Sequence, residues 1–90
     1  SFSKMIPRVK EARHVKDYRV WVRFQDGTEG EIDLGKELWG EVFEALRNVE
    51  AFRQLRVDPE LHTIVWPNGA DLSPEFLYSQ LSREQKGELP

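Results

Sequence analysis

The feature that most constrains this chain is a run of alternating side chains over residues 18–34, interrupted by one turn. Apolar and polar residues alternate on both sides of Asp26-Gly27, which is the pattern of a β-hairpin with one buried face. A two-residue loop at Asp26-Gly27 would pair Phe24 with Glu29 and mix the two faces. A loop that begins one residue earlier pairs Phe24 with Thr28 and keeps the apolar side chains together. We therefore predict a three-residue loop.

This loop, residues 25–27, ends on the residue type that such a turn requires. Its third position takes a left-handed backbone conformation, which Gly27 adopts without steric cost. The resulting register has an apolar face and a charged face, and each ion pair on the charged face contributes about 0.2–1 kcal/mol. The predicted pairs are Val22 with Gly30, Val20 with Ile32 and Tyr18 with Leu34 on the apolar face, and Arg23 with Glu29, Trp21 with Glu31 and Arg19 with Asp33 on the charged face.

Length and composition limit the chain to one small domain without thiol chemistry. Its 90 residues, of which 39% are hydrophobic, suffice for a single small core. The absence of Cys excludes a disulfide scaffold, thiolate zinc sites and cysteine nucleophiles. No apolar run approaches the roughly 18 residues of a membrane-spanning helix. We therefore expect a cytoplasmic protein with no membrane partner.

We expect the domain over residues 7–81, between a flexible leader of residues 1–6 and a frayed tail of residues 82–90. Met5 is one candidate for the original start of the chain, and a Met removed ahead of Ser1 is the other.

Two further regions are expected to be extended. Residues 8–16 form a strand whose irregular apolar spacing predicts a bulge or an exposed edge. Residues 61–66 form another strand, after an extended start at Leu55 and Val57 and a turn at residues 58–60.

A short helix is predicted over residues 37–47. Gly40 lowers its stability by about 1 kcal/mol relative to Ala, so the first turn can be separate. Asn48 is expected to end the helix in a left-handed conformation, and Val49 and Phe52 indicate one further turn. The apolar stripe of the helix consists of Leu38, Trp39, Val42, Phe43 and Leu46.

The last helix has a marked start. Ser73 is expected to cap it, Pro74 occupies its first position, and it ends near Leu81. Leu72 is expected to pack on Leu77 across the cap. The chain is therefore predicted to be α+β, with a small antiparallel sheet of about four to five strands and two or three short helices. The predicted core is Val20, Val22, Phe24, Ile32, Leu34, Val42, Phe43, Leu46, Phe52, Ile64, Trp66, Leu72, Phe76 and Leu77.

No residue is identified as catalytic, cofactor-binding or metal-binding. Gly27 and Gly30 are spaced as hairpin glycines and do not open a helix, as a phosphate-binding loop would. Ser73 is explained as a helix cap. His14 and His62 lie far apart in sequence and outside any metal-ligand spacing. The favoured interpretation is a protein that is not an enzyme.

The net charge of −3 is unevenly distributed. Residues 1–24 carry a net charge of +5, residues 25–50 carry −6 and residues 51–90 carry −2. The simpler interpretation is that basic and acidic strands pair with each other. The alternative is a basic face offered to an acidic partner.

Trp21 is the most informative aromatic residue. By alternation it points with Arg19 and Arg23, away from the predicted core. Trp and Arg are enriched at interaction hot spots, so these three residues are a candidate partner surface. The alternative is that another element of the chain covers Trp21. Nucleic-acid stacking is less favoured because the facing strand is acidic.

Several segments resemble the bacterial domain-of-unknown-function family 2442. These are residues 20–27, 30–34, 42–47 and 63–77, and the resemblance covers roughly Pro7 to Tyr78. It implies a compact α+β fold in a bacterial or phage-related cytoplasmic protein. The family has no established activity, so no site residue carries over. Many members are encoded beside a second small protein, as in toxin–antitoxin pairs. Some members carry an added helix-turn-helix DNA-binding domain, which is not expected here.

These observations favour a non-catalytic protein-interaction module, an antitoxin-like or accessory partner of another small bacterial protein. Its expected partner is a second protein or a second copy of the chain. A nucleic-acid-associated regulatory module, suggested by the basic segment of residues 8–16, is one alternative. A small enzyme assembled at an oligomer interface is the other.

The segment from Trp66 to Leu77 is interpreted as a folding motif. Trp66 supplies a large apolar side chain to the core, and residues 67–69 reverse the chain ahead of the last helix. The alternative is a binding site that includes Asn68 and Asp71.

The predicted cap gives a direct test of this motif. Ser73→Ala should lower the free energy of unfolding by about 0.5–2 kcal/mol, because an N-terminal amide of the helix loses its acceptor. Chemical denaturation measures the change. A variant as stable as the parent would show that Ser73 is not the cap.

Overall fold

A computed structural model describes residues 7–38 and 40–87 of the chain. The leader predicted at residues 1–6, the stripe position Trp39 and residues 88–90 lie outside the described residues. The strands are β1 (Val9–Lys16), β2 (Arg19–Phe24), β3 (Glu29–Asp33), β4 (Arg56–Val57) and β5 (Ile64–Val65). The α-helices are α1 (Glu41–Glu44), α2 (Val49–Phe52) and α3 (Pro74–Gly87), and 3-10 turns lie at Gly35–Glu37 and Ala45–Arg47.

The predicted α+β class is confirmed, with five strands arranged as two small antiparallel sheets. One sheet has the order β1-β2-β3, and the other pairs β4 with β5. The amide of Val9 donates a 2.9 Å hydrogen bond to the carbonyl of His62, which joins the edge of the larger sheet to the loop before β5. The class, the antiparallel pairing and the strand count therefore match the prediction, although the strands do not form one continuous sheet.

The register predicted for the β2–β3 hairpin is confirmed at every pair of the ladder. Gly27 has a φ of 95°, and its amide donates a 2.9 Å hydrogen bond to the carbonyl of Phe24. The Asp26 carboxylate accepts hydrogen bonds of 2.9 Å from the Thr28 amide and from the Tyr78 hydroxyl. The bond from the Thr28 amide is the main reason that the pKa of Asp26 lies below its usual value. The turn is thus also linked to α3.

The predicted strand over residues 61–66 is shorter than expected. Only Ile64–Val65 are in β5, because His62 adopts a left-handed conformation with a φ of 57°. The Asp58 carboxylate accepts hydrogen bonds from the amides of Glu60 at 2.7 Å and Leu61 at 2.9 Å. The Asp58 carboxylate thus holds residues 58–61 in a turn, and Leu61 does not join the pairing of β4 with β5. The irregularity predicted for the first strand is present as two register shifts in β1.

The core lies between the apolar face of the larger sheet and the helices. Most predicted core residues are buried, but Val42 is 49% exposed, so its assignment to the core is wrong. Phe43, Leu72 and Phe76 pack against the core and are only partly buried. Among the described residues, five buried apolar residues were not predicted: Val9, Leu38, Val65, Ala70 and Leu81.

The predicted helix over residues 37–47 is divided into short pieces. A 3-10 turn ends at Glu37, α1 begins at Glu41, and a second 3-10 turn ends at Arg47. Asn48 does not end this region in a left-handed conformation, because its φ is −75°. Its side chain instead accepts a 2.8 Å hydrogen bond from the amide of Glu50 and caps α2.

The last helix starts as predicted and is longer than predicted. Ser73 Oγ accepts a 2.9 Å hydrogen bond from the amide of Phe76, so the cap is confirmed. The end expected near Leu81 is wrong, since α3 continues to Gly87. Residues 83–86 are all good helix formers, which explains the extension.

The helix α3 packs closely on β3 at Gly30. A Cβ atom on Gly30 would lie 2.5 Å from Leu81 Cδ1, so the side chain of Leu81 occupies the space that a larger residue at position 30 would need.

Aromatic rings around Phe52 join α2 to both sheets. The ring of Phe52, which is fully buried, lies 5.4 Å from that of Tyr18, 5.7 Å from that of Trp66 and 5.8 Å from that of His14. Trp66 Nε1 donates a 2.8 Å hydrogen bond to the carbonyl of Phe52. Trp66 therefore fills the core and also satisfies a backbone acceptor of α2.

Truncation of the Trp66 side chain should destabilise the domain. Trp66→Ala is expected to lower the free energy of unfolding by roughly 3–5 kcal/mol, because it leaves a cavity and removes the donor to Phe52. Leu61→Ala is the control, since Leu61 is 54% exposed and its truncation should cost less than about 0.5 kcal/mol. Chemical denaturation compares the two. Unchanged stability of the Trp66 variant, with loss of partner binding, would assign Trp66 to a binding surface.

Candidate functional site

The first candidate surface is the charged face of the larger sheet, which carries Arg19, Trp21 and Arg23. The structure places all three side chains together on this face of β2, as predicted. Arg19 lies 3.3 Å from Glu31 and 3.7 Å from Asp33. The side chains of these ion-paired residues are 35–54% exposed, so the face is open to solvent around them.

Arg23 is paired on both sides of its strand. Its guanidinium lies 3.5 Å from the Glu29 carboxylate on β3 and 3.9 Å from the Glu11 carboxylate on β1. The two arginines of β2 are thus matched by carboxylates on the strands beside them. Partly exposed pairs of this kind contribute about 0–1 kcal/mol each. This arrangement favours a solvated, self-neutralised face over a path for nucleic-acid phosphates.

Trp21 is half-buried beneath arginine side chains of its own sheet. The guanidinium of Arg13 lies 4.3 Å from the centre of its ring, and that of Arg23 lies 5.6 Å away. Cation–π contacts at exposed sites are worth about 0.5–1 kcal/mol. The side chains of its own sheet therefore cover part of the Trp21 ring.

The second candidate surface is an apolar groove between α1 and the start of α3. Four apolar side chains line it: Val42 and Phe43 from α1, Leu72 ahead of the helix cap, and Phe76 from α3. Glu37, Gly40 and Glu41 complete the lining. The groove has a volume of about 440 Å³ and is open to solvent along one side. We call it the α1–α3 groove.

The change of helix type after α1 explains why Val42 lies in the groove and not in the core. A stripe on a continuous α-helix would align Val42 with the buried Leu46, four residues later. The 3-10 turn at Ala45–Arg47 has three residues per turn, which aligns Leu46 with Phe43 and leaves Val42 outside. The Val42 side chain is consequently half exposed, whereas that of Leu46 is 2% exposed.

Asn68 connects the groove to the turn after β5. Its Nδ2 donates a 3.1 Å hydrogen bond to the carbonyl of Val42, and its Oδ1 accepts a 3.0 Å hydrogen bond from the amide of Ala70. The side chain that was considered as a binding residue therefore positions α1 against the turn. Asp71, the other residue considered, is exposed and forms an isolated backbone bridge with Val65.

The two histidines occupy separate structural positions. His14 Nε2 lies 2.8 Å from the carbonyl oxygen of Asp17, and the His14 ring packs against Phe52. The carbonyl of His62 accepts the hydrogen bond from Val9. Among the described side chains, those of residues 7–38 and 40–81, no three His, Cys, Asp or Glu residues form a group that could hold a metal ion.

In the same part of the chain, none of the helices combines the length and the apolar character needed to cross a bilayer.

The sequence prediction missed the α1–α3 groove because it treated residues 37–47 as one helix. Two signals were present in the sequence. Gly40 interrupts the stripe, and Val42 and Phe43 are adjacent, so a short helix does not turn both side chains into the core.

Comparison with protein families agrees with the resemblance predicted from the hairpin and the closing segment. The profile of the family described as "protein of unknown function (DUF2442)" matches residues 9–82, which is most of the chain. The chain therefore belongs to this family. No curated protein and no solved structure gives a significant match.

The exposure of Val42 gives a prediction about stability. Val42→Ser should change the free energy of unfolding by less than about 0.5 kcal/mol, because half of this side chain is in solvent. Leu46→Ala, four residues later, should cost about 2–5 kcal/mol because Leu46 is buried. Urea denaturation of both variants measures the difference. A similar large loss in both would mean that Val42 serves the core.

Proposed function

We propose that this member of the family is a non-catalytic protein-interaction module that binds a segment of a second protein in the α1–α3 groove. In this role it is an antitoxin-like or accessory partner of another small protein in a bacterial cytoplasm. The antitoxin-like role and the location rest on the resemblance to the family. The choice of surface rests on the structure of the chain itself.

The observation that carries the proposal is the group of incompletely buried apolar side chains in the groove. Val42 is 49% exposed, and Phe43, Leu72 and Phe76 are only partly buried, although all four lie next to one another. Apolar side chains that converge on an open groove favour insertion of apolar groups from a partner. The charged face of the larger sheet is less suited to a partner, because Arg19 and Arg23 already have carboxylate partners.

The shape of the groove favours a segment of a partner protein over other occupants. A small-molecule site typically encloses 70–90% or more of its ligand, whereas this groove is open along one side. A stable dimer typically buries about 20–30 residues on each side, far more than the four apolar side chains of the groove. A few anchor side chains in a groove are enough for a peptide-like segment.

Site-specific photocrosslinking tests the proposal. A photoreactive amino acid is placed at position 42 in one variant and at position 61 in the other, and each full-length protein is expressed in the cell that encodes it. Leu61 is the matched control because it is an exposed apolar residue outside the groove. We expect one discrete adduct from position 42 and none of that mass from position 61.

Competition makes the result specific to the groove. Excess unlabelled chain should suppress the adduct, whereas excess Val42→Glu chain should not, because a carboxylate would stand where the partner inserts apolar groups. Equal adducts from both positions, no adduct, or equal suppression by both competitors would contradict the proposal.

A further inference from the structure

The charged residues that line the α1–α3 groove have one sign. Glu37 and Glu41 line the groove together with its apolar residues, and no Lys or Arg lines it among the described residues. Two further carboxylates follow along the same elements, Glu44 on α1 and Glu75 beside Phe76 at the start of α3. The groove is thus an apolar surface with an acidic rim.

The glutamates that line the groove differ from the carboxylates of the sheet. On the sheet, Glu31 and Asp33 lie within 4 Å of Arg19, and Glu11 lies within 4 Å of Arg23. Among the side chains that the structure describes, those of residues 7–38 and 40–81, the ion pairs involve neither Glu37 nor Glu41. The carboxylates of Glu31, Asp33 and Glu11 are therefore paired, whereas those of Glu37 and Glu41 have no ion-pair partner among these side chains.

We infer that the segment bound in the α1–α3 groove is basic and carries Lys or Arg next to at least two bulky apolar side chains. This inference rests on the proposed function and specifies the partner that the same groove accepts. The apolar side chains fill the space between Val42 and Phe76. The cations of the segment lie over Glu37 and Glu41 at the rim, where opposite charges raise the association rate and exclude acidic partners.

A symmetric dimer formed through two grooves is disfavoured for the same reason. Two grooves brought face to face would oppose Glu37 and Glu41 with identical carboxylates, and like charges at such distances disfavour association. The charge of the groove thus argues against a symmetric dimer at this surface.

Selection from a library of short random peptides tests the inference without assuming the partner. The full-length chain is the bait, and the net charge of the enriched peptides is the first readout. Enriched peptides should be basic and should contain at least two bulky apolar residues. The affinity of a synthetic copy of each is then measured by fluorescence polarisation at low and high salt, and should fall as the salt concentration rises.

Two matched double variants test whether the glutamates that line the groove contribute to peptide affinity. Glu37→Gln with Glu41→Gln should weaken the binding of a basic peptide roughly three- to tenfold, as expected for rim charges of this kind. Glu50→Gln with Glu60→Gln changes the net charge equally at exposed positions that do not line the groove, and should leave the affinity unchanged.

The possible outcomes separate this inference from the proposed function. If neutral or acidic peptides are enriched, and Val42→Glu abolishes their binding while Leu61→Glu does not, the basic partner is wrong and the groove remains the binding site. If basic peptides bind the Val42→Glu chain as well as the parent, or if both double variants weaken binding equally, the charge acts elsewhere and the inference is overturned. If no peptide is enriched, the inference is also overturned, and the crosslinking experiment alone decides the proposed function.

Discussion

The register of the β2–β3 hairpin is the constraint on which the rest of this structure depends. Because side chains alternate along a strand, one register decides which half of β2 faces the core. With Gly27 at the left-handed position of the loop, Val20 and Val22 face the core and are fully buried. The same register turns Trp21 outward, between two arginines. A slip of one residue would bury the guanidinium groups and expose the valines, at a cost that a domain of 90 residues would not tolerate.

This register also distributes the surface charges, and so it separates the paired charges of the sheet from the α1–α3 groove. The basic strand β2 lies beside the acidic strand β3, so positive and negative side chains neutralise each other on the outer face. The helices cover the inner face, but the short α1 and its following 3-10 turn do not turn Val42 inward. Where the covering is incomplete, an apolar groove results, and its two glutamates form no ion pair with any described side chain. The binding site that we propose therefore lies in the gap between the helices, away from the paired charges of the sheet.

Local rules predicted the hairpin and the start of α3, but they did not predict the groove. The hairpin pairs and the Ser73 cap depend on neighbouring residues, and both are confirmed. The errors arose where two local structures compete. Asp58 holds a turn at residues that were expected to be in a strand, and Asn48 caps the following helix although it was expected to end the preceding one. The groove depends on the rotation of a four-residue helix against α3, which only tertiary packing determines.

The hairpin register is most directly measured by nuclear Overhauser effects between α-protons of facing residues in the native chain. Since Phe24 and Thr28 form a hydrogen-bonded pair, the alternate pairs are the close ones, with Cα atoms about 4.5 Å apart. Strong effects are predicted between the α-protons of Trp21 and Glu31, and between those of Arg23 and Glu29. A strong effect between the α-protons of Val22 and Glu31, which form a close pair if the loop has two residues, would contradict the register and the separation of charged and apolar surfaces that follows from it.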